Sequence, residues 1–439
     1  METVNDDEER WLLSTEQVAV ANLRTMLELC AGGELKVSDK TSLPAAATVN
    51  VVTEHLVDHD FYADAAIAAF AWPLLLQAGG LAKVERGKLQ LTPKGRAAPA
   101  KPGPDTIRQL WQRWLTHAVI DEFSRVEQIK GQRAANVLTA AKTRRGMVAK
   151  ALSRCEPGEW LDVDTLFKTM RRGNMSPTIA RSERALWKLY LEDPQYGSLG
   201  YDGFHKWELL EGRYTLAVLF EYAATLGLID VDYVHPAGAR DDFRDNWGGD
   251  ELDALSRYDG LLAIRLNALG AYVLGLTDTY EPPVAEVPDV RPLKVLPNLD
   301  VVATTPLPAA DRLTLSAFGE RTADYVWAVS ATSLLAGVDA GRDLDEFTRF
   351  LGERTEHELP GALTTLLSDV RRRIGQLVDL GHVRLIECSD PATAALITRD
   401  RSLRSLCRLI GDRHLAVLPD QELKFRKALR KIGYALPGS

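Results

Sequence analysis

The stretch AGGLAKVERGKLQLTPKGRA, residues 78–97, contains a Gly-Lys pair and several further glycines. A phosphate-binding loop requires a strand, the sequence G-x-x-x-x-G-K-[ST] and then a helix whose N-terminus faces the phosphates. Here Leu89 follows Gly87-Lys88, where the motif has Ser or Thr, and six residues separate Gly80 from Gly87. The stretch therefore lacks both the spacing and the hydroxyl of a phosphate-binding loop.

The same stretch has the pattern of a β-hairpin. Polar and apolar residues alternate on both sides of Arg86-Gly87, as in two half-buried strands joined by a tight turn. The preceding segment, FAWPLLLQAGG, is typical of a buried helix that ends at glycine. A helix, a hairpin and then Pro93 and Gly95 predict the wing of a winged helix rather than a nucleotide site.

A similar order recurs later in the chain. YTLAVLFEYAATLGLIDVDYV (214–234) predicts a buried helix, a glycine and a strand, and DGLLAIRLNALGAYVLG (259–275) predicts a returning strand and a helix. We interpret this recurrence as a second winged-helix-like module. The carboxylate-rich segment between them, 235–258, is predicted to be a long insertion in the wing that is exposed to solvent or binds a partner.

Two Pro-rich segments, APAKPGP (98–104) and EPPVAEVPDVRP (281–292), suggest where domains end. We predict an N-terminal winged-helix-like domain at 1–100 and a helical domain with the second module at 105–280. A mixed α/β domain follows at 290–439. The predicted fold class is α+β and predominantly helical, with two winged-helix-like modules followed by an α/β accessory domain.

The composition of the 439 residues is that of a globular protein, with 46% hydrophobic and 26% charged residues. No apolar run approaches the roughly 18 residues of a membrane span, and METVNDDEER at the N-terminus does not resemble a signal peptide. We therefore predict a cytoplasmic protein that does not engage membranes. The four cysteines form no C-x-x-C pair, so we expect reduced thiols.

The net charge of −8 argues against tight binding to nucleic acid by the chain as a whole. The charge is uneven, however. Residues 369–431 contain 14 Lys and Arg against 8 Asp and Glu, whereas residues 230–259 contain 3 Arg against 9 Asp and Glu. One basic and one acidic segment predict partners of opposite charge.

The C-terminal third carries a family resemblance. Its residues run LKVLPNLDVVAT, then YVWAVSATSLLAGVDAGRDLDEFTRFLGERTEHELPGALTTLLSDVRRRIGQLVDL, then HLAVLPDQELKFRKALRKIGY. This order resembles the N-terminal accessory domain of XPB-type DNA helicases, and also the free-standing bacterial helicase-associated proteins. The features that carry it are Leu359-Pro360 opening a helix and the closing Leu-x-x-x-Gly-Tyr. The resemblance implies an accessory protein that engages DNA or a partner, without catalytic residues in this domain.

Basic residues on predicted helices of this domain are the candidate nucleic-acid contacts. Phe425, Ala428, Leu429 and Ile432 form an apolar stripe at helical spacing, and the basic residues lie on other faces of that helix. One helix earlier, Leu403, Leu406, Cys407 and Ile410 are predicted to do the same. Phosphate contacts of this kind position a protein on nucleic acid without reading its sequence. The two predicted groups are Lys424, Arg426, Lys427, Arg430 and Lys431, and Arg401, Arg404 and Arg408. A solvated helix face with scattered ion pairs is the alternative.

The hairpin offers a third group of candidates. Lys88, Lys94 and Arg96 flank it, where the wing of a winged helix often lies against a duplex backbone. Winged helices also dock proteins, and the acidity of the chain favours that second role. We predict no catalytic residue, no metal site and no cofactor.

These observations favour a non-enzymatic accessory protein for DNA transactions, such as repair or phage defence. It would bind DNA weakly to moderately without sequence preference, and recruit or position a separate helicase, nuclease or other ATPase. The alternatives are a transcription regulator that binds DNA through its winged helices, and a scaffold that binds only proteins.

Overall fold

The computed structural model describes residues 9–101, 103–117, 119–200, 207–282, 291–374, 376 and 381–437. The chain divides into two compact units, Met1–Val370 and Arg371–Ser439. The predicted α+β class with a predominance of helix is confirmed. No helix within the described ranges is both long enough and apolar enough to span a membrane.

The two units carry opposite charges. Of the chain's 53 Lys and Arg and 61 Asp and Glu, the smaller unit holds 14 and 7, which gives it a net charge of +7. The larger unit keeps the other 39 and 54, a net charge of −15. Any attraction for nucleic acid through bulk charge is therefore confined to the smaller unit.

The first part of the larger unit is helical and ends in a hairpin. Its elements are β1 (Trp11–Leu13), α1 (Glu16–Ala31), α2 (Ala46–His55), α3 (Ala68–Ala78), β2 (Ala82–Glu85), β3 (Lys88–Leu91) and α4 (Pro93–Ala97).

The hairpin that the sequence predicts is present. Arg86 and Gly87 both have positive φ, 51° and 74°, as the two central residues of a type I′ turn require. A third extended segment joins the hairpin, because the amide of Val37 donates to the Gly87 carbonyl (2.9 Å) and that of Leu89 donates to the Leu35 carbonyl (2.8 Å). The glycine-rich stretch is thus occupied by sheet hydrogen bonds.

The second part of the larger unit is longer. Two short helical turns, Ala98–Ala100 and Glu122–Arg125, lie near its N-terminal end. Its first elements are α5 (Gly103–Trp114), β4 (Ile129–Lys130), α6 (Ala141–Leu152), β5 (Trp160–Asp162), α7 (Val163–Arg172), α8 (Glu183–Leu186) and β6 (Tyr190–Leu191). Next comes a helix made of three consecutive segments, Glu208–Gly212, α9 (Arg213–Ala217) and Val218–Ala224, which we call the continuous helix. The last elements before the second Pro-rich segment are β7 (Ile229–Tyr233), β8 (Leu261–Leu266) and α10 (Ala268–Leu274).

The two parts share one strand order. In the first, the extended segment before α2 pairs with β3, and β3 pairs with β2. In the second, β5 lies before α7 and pairs with β8, which pairs with β7. Strand β1 extends the second sheet by pairing with the free side of β7. The assignment of both parts as winged helices stays a prediction.

Both parts contribute to one hydrophobic core. Trp72 from α3 and Trp111 and Trp114 from α5 are all buried within it. The Trp111 and Trp114 rings stack at 5.1 Å between centroids, and Trp114 stacks on Tyr222 of the continuous helix at 4.6 Å. Segment 98–104, predicted as a linker, contains a helical turn and the start of α5. It therefore connects two parts of one core.

Limited proteolysis tests how far the predicted division of the chain holds. We expect proteinase K to cut first within the Pro-rich segment 281–292, most of which lies outside the described residues. Segment 98–104 should resist, because the core continues across it. On a denaturing gel, early fragments should correspond to roughly residues 1–285 and 290–439. An early fragment that ends between 98 and 104 would contradict the shared core.

The predicted exposure of segment 235–258 holds for most of its carboxylates but is wrong for several of its other residues. Phe243 and Tyr258 are fully buried, and the Tyr258 hydroxyl bonds to the buried Glu221 carboxylate. Asp242 accepts two bonds from Arg213, at 3.0 and 2.6 Å. Asp242 thus pairs with a buried arginine of a distant segment and helps to hold the insertion against the core, whereas Asp241, Asp245, Asp250, Glu251 and Asp253 are exposed.

The third part of the larger unit contains one antiparallel sheet, in the order β11-β12-β10-β9, with helices packed around it. Helix α14 extends across the boundary between the two units. The elements are β9 (Leu293–Val295), β10 (Asp300–Ala303), α11 (Ala309–Phe318), β11 (Gly319–Ala323), β12 (Val326–Val329), α12 (Ala331–Asp339), α13 (Leu344–Arg354) and α14 (Gly361–Ile374).

The described residues of the smaller unit form an antiparallel sheet, in the order β13-β15-β14, and two helices after the end of α14. Its core holds Leu415 and Val417 of the central strand and Phe425 and Leu429 of the last helix. A short turn, Pro419–Gln421, precedes that helix. The elements are β13 (Arg384–Glu387), α15 (Pro391–Arg399), β14 (Arg408–Ile410), β15 (His414–Val417) and α16 (Glu422–Lys431).

Candidate nucleic-acid interface

Helix α16 presents the basic face that its sequence predicts. Phe425 and Leu429 are buried in the core of the smaller unit, and Ala428 and Ile432 pack against that core. These four anchor one side of the helix. The cations that the structure leaves exposed on the remaining surface of the helix are Lys424, Lys427, Arg430 and Lys431.

Arg426 differs from the other cations of α16 because it is engaged within the protein. It donates to the Glu422 carboxylate at 2.9 Å and to the Leu436 carbonyl at 2.8 Å. Arg384 donates to the same Glu422 carboxylate at 2.8 Å. The bond from Arg426 and the charge of Arg384 hold the pKa of Glu422 below its usual range. Arg426 therefore fixes the chain after α16 and is a structural residue.

The predicted helix around Arg401, Arg404 and Arg408 is absent, although all three side chains are exposed. Helix α15 ends at Arg399, and turns follow because the Asp400 carboxylate accepts from the Ser402 amide (2.8 Å). Arg408 begins strand β14 instead, opposite Ala416 of β15. The three arginines do not form one line.

Apolar spacing alone misled the prediction at this point. Leu403 and Cys407 are buried, as a helix would have placed them. The turns that lead into strand β14 bury the same two residues, so their burial does not require a helix. The one local sign against a helix was Asp400-Arg401-Ser402, a typical turn start.

The hairpin cations occupy unequal positions. Lys88 and Lys94 are exposed, on β3 and α4. Arg96 donates to the Leu91 carbonyl at 3.0 Å and so helps to hold α4 against the hairpin. These three residues belong to the unit of net charge −15, whereas α16 belongs to the unit of net charge +7.

The helices that a DNA-reading winged helix would insert into a groove are buried. Helix α3 has Trp72, Leu75 and Leu76 at 0% exposure. The continuous helix in the second module is buried throughout residues 209–224. Base reading requires polar side chains of an exposed helix at base edges. In this structure neither helix is exposed to a partner.

Two comparisons with known proteins bear on this geometry. Residues 293–409 match the family described as helicase conserved C-terminal domain. The matched segment runs from β9 to the middle of β14, so it includes Arg401, Arg404 and Arg408 and ends before α16. No curated protein matches the chain. The C-terminal region therefore contains a helicase-related domain.

The ion-pair cluster of Arg384, Glu422 and Arg426 was not found from the sequence. Arg384 lies in β13, and Glu422 and Arg426 lie in α16. Arg384 and Glu422 are 38 positions apart in the sequence. The i, i+4 spacing of Glu422 and Arg426 is a visible signal for one half of it. Nothing local indicates the other half.

Proposed function

We propose that this chain is a non-enzymatic accessory protein for DNA transactions, which holds nucleic acid through its basic smaller unit and positions a separate helicase or nuclease. The observation that carries the proposal is an anchored, exposed cationic face on α16, in a unit of charge +7 whose sequence overlaps the helicase-related segment. A setting in repair or phage defence rests only on the resemblance to helicase-associated proteins.

The architecture of the matched segment supports a role without a motor. Motor ATPases place nucleotide at the carboxyl ends of a parallel sheet, on a glycine-rich loop that precedes a helix. The named strands of 293–409 pair antiparallel throughout the described residues. The sequence also has no G-x-x-x-x-G-K-[ST] motif.

The purified chain is therefore expected to show no ATP hydrolysis above a protein-free blank, with or without DNA. Phosphate release should be measured across the fractions of a final size-exclusion column. Activity that follows the protein peak, and that a single substitution in this chain abolishes, would contradict a non-enzymatic role.

Gel-shift titration on duplex, forked and single-stranded DNA of unrelated sequences tests the proposal itself. We expect binding that depends on salt and on DNA structure but not on sequence. Sequence preference would favour a transcription regulator. The burial of α3 and of the continuous helix argues against that outcome. An absence of binding to every DNA would favour a scaffold that binds only proteins.

A further inference from the structure

A cleft in the helicase-related segment has the chemistry of a nucleotide site. It lies between the segment before α11 and the β11–β12 hairpin, and its volume is about 370 Å³. The range for small-molecule sites is roughly 300–1,000 Å³. The cleft is lined by Pro306, Leu307, Arg312, Arg321, Asp324, Tyr325 and Trp327.

The walls of the cleft are held in place by the surrounding fold. Trp327 is buried, and its indole N–H donates to the Ser316 hydroxyl at 3.1 Å. At the hairpin tip, the Ala303 amide donates to the Tyr325 carbonyl at 2.8 Å. The Tyr325 side chain is nevertheless 49% exposed. A fixed backbone with an exposed ring is what a stacking contact requires.

Two arginines supply the charge. Arg312 donates to the Leu307 carbonyl at 2.8 Å, and Arg321 donates to the Asp324 carbonyl and carboxylate at 3.1 and 3.2 Å. A guanidinium has five N–H donors, so both keep donors for a phosphate. The Arg321–Asp324 pair is highly exposed, and exposed pairs are weak, so a phosphate can compete with Asp324.

We infer that this cleft binds one nucleotide of a single nucleic-acid strand, with its base on Tyr325 beside Pro306 and its phosphate at Arg312 and Arg321. A base inside a duplex is stacked between its neighbours and cannot reach Tyr325, whereas a base of a single strand can. The inference rests on the proposed DNA role and adds a structure preference to it. The recognised chemistry is a nucleoside phosphate, so a free nucleotide and a strand must be distinguished.

Fluorescence anisotropy with a labelled twelve-residue oligothymidylate provides the test. Tyr325→Ala is expected to weaken strand binding roughly tenfold, and Tyr325→Phe to retain it, because the ring rather than the hydroxyl stacks. Arg321→Ala should lower the salt slope for the single strand by about 0.7. Tyr196→Ala and Arg349→Ala are matched controls, since both residues are exposed elsewhere in the larger unit. Thermal melting should show that all five variants fold.

Two results would overturn the inference. One is wild-type affinity for the strand in both Tyr325→Ala and Arg321→Ala. The other concerns competition for the labelled strand. If thymidine monophosphate or ATP displaces it at the same concentration as an unlabelled copy of the strand does, the cleft binds free nucleotides. Duplex binding measured on the same variants separates this inference from the proposed function. If the duplex binds and strand affinity is unchanged in both Tyr325→Ala and Arg321→Ala, only the cleft assignment fails. If no DNA binds, the DNA role itself fails.

Discussion

Replacing Arg213 by Met is expected to lower the free energy of unfolding of the larger unit by about 3–5 kcal/mol. The Arg213 side chain is fully buried and contacts the carboxylates of Asp242 and Asp259, the latter at 3.0 Å. Burial alone lowers the pKa of Arg213, but Asp259 and Asp242 raise it above its usual value, so the guanidinium stays charged. Removing it leaves Asp259 buried without its cation.

Urea denaturation followed by tryptophan fluorescence measures this loss. Arg171→Met is the matched control, because Arg171 pairs with Glu208 at 2.8 Å but is 42% exposed. We expect that control to change the free energy of unfolding by about 1 kcal/mol or less. A loss below 1 kcal/mol for Arg213→Met would show that the insertion 235–258 is held by other contacts.

The second large effect is expected in the smaller unit. Phe425→Ala should cost about 3–5 kcal/mol, because the Phe425 ring is fully buried in a core of only nine buried side chains among the described residues. A unit of this size has little stability to lose. We therefore expect the smaller unit to be largely unfolded in this variant while the larger unit stays folded.

Hydrogen exchange measured by mass spectrometry on the full chain can follow the two units separately. Amides of β13 and β15 should lose protection in Phe425→Ala, and amides of the continuous helix should keep theirs. Leu423→Ala is the matched control on the same helix, since Leu423 is 83% exposed. Unchanged protection of β15 in Phe425→Ala would mean that the smaller unit does not depend on this core.

Sequence reasoning succeeded where the determinants were local. The hairpin follows from alternation around Arg86-Gly87, and both residues take the left-handed conformation that the turn needs. Helix α16 also follows the predicted apolar stripe, with Phe425 and Leu429 buried, although the same spacing at Leu403 and Cys407 does not form a helix. In both places the relevant contacts lie within a few residues of one another.

Sequence reasoning failed where distant residues decide the structure. Asp242 of segment 235–258 looks solvated in the sequence, but in the structure it pairs with the buried Arg213, which lies 29 positions away. A transcription regulator that reads DNA through its winged helices would also need an exposed reading helix. Neither α3 nor the continuous helix is exposed. Here the sequence itself indicated the burial, because FAWPLLLQA in α3 is apolar on all sides.

The central claim, that nucleic acid is held by the exposed cations of α16, is tested most directly by the salt dependence of duplex affinity. The measurement compares the wild type with the triple variant Lys424→Ala, Lys427→Ala, Lys431→Ala. Each lost phosphate contact should shrink the slope of log affinity against log salt by about 0.9, or by about 2.7 for three, equally for all sequences.

A triple variant of the larger unit, Lys142→Ala, Lys150→Ala, Lys168→Ala, removes the same charge from exposed positions and should bind like the wild type. We expect weaker binding and a smaller slope only for the α16 variant, with both proteins folded. Wild-type affinity and slope in the α16 variant would contradict it, and would move the contact to Lys88, Lys94 and Arg96 of the hairpin.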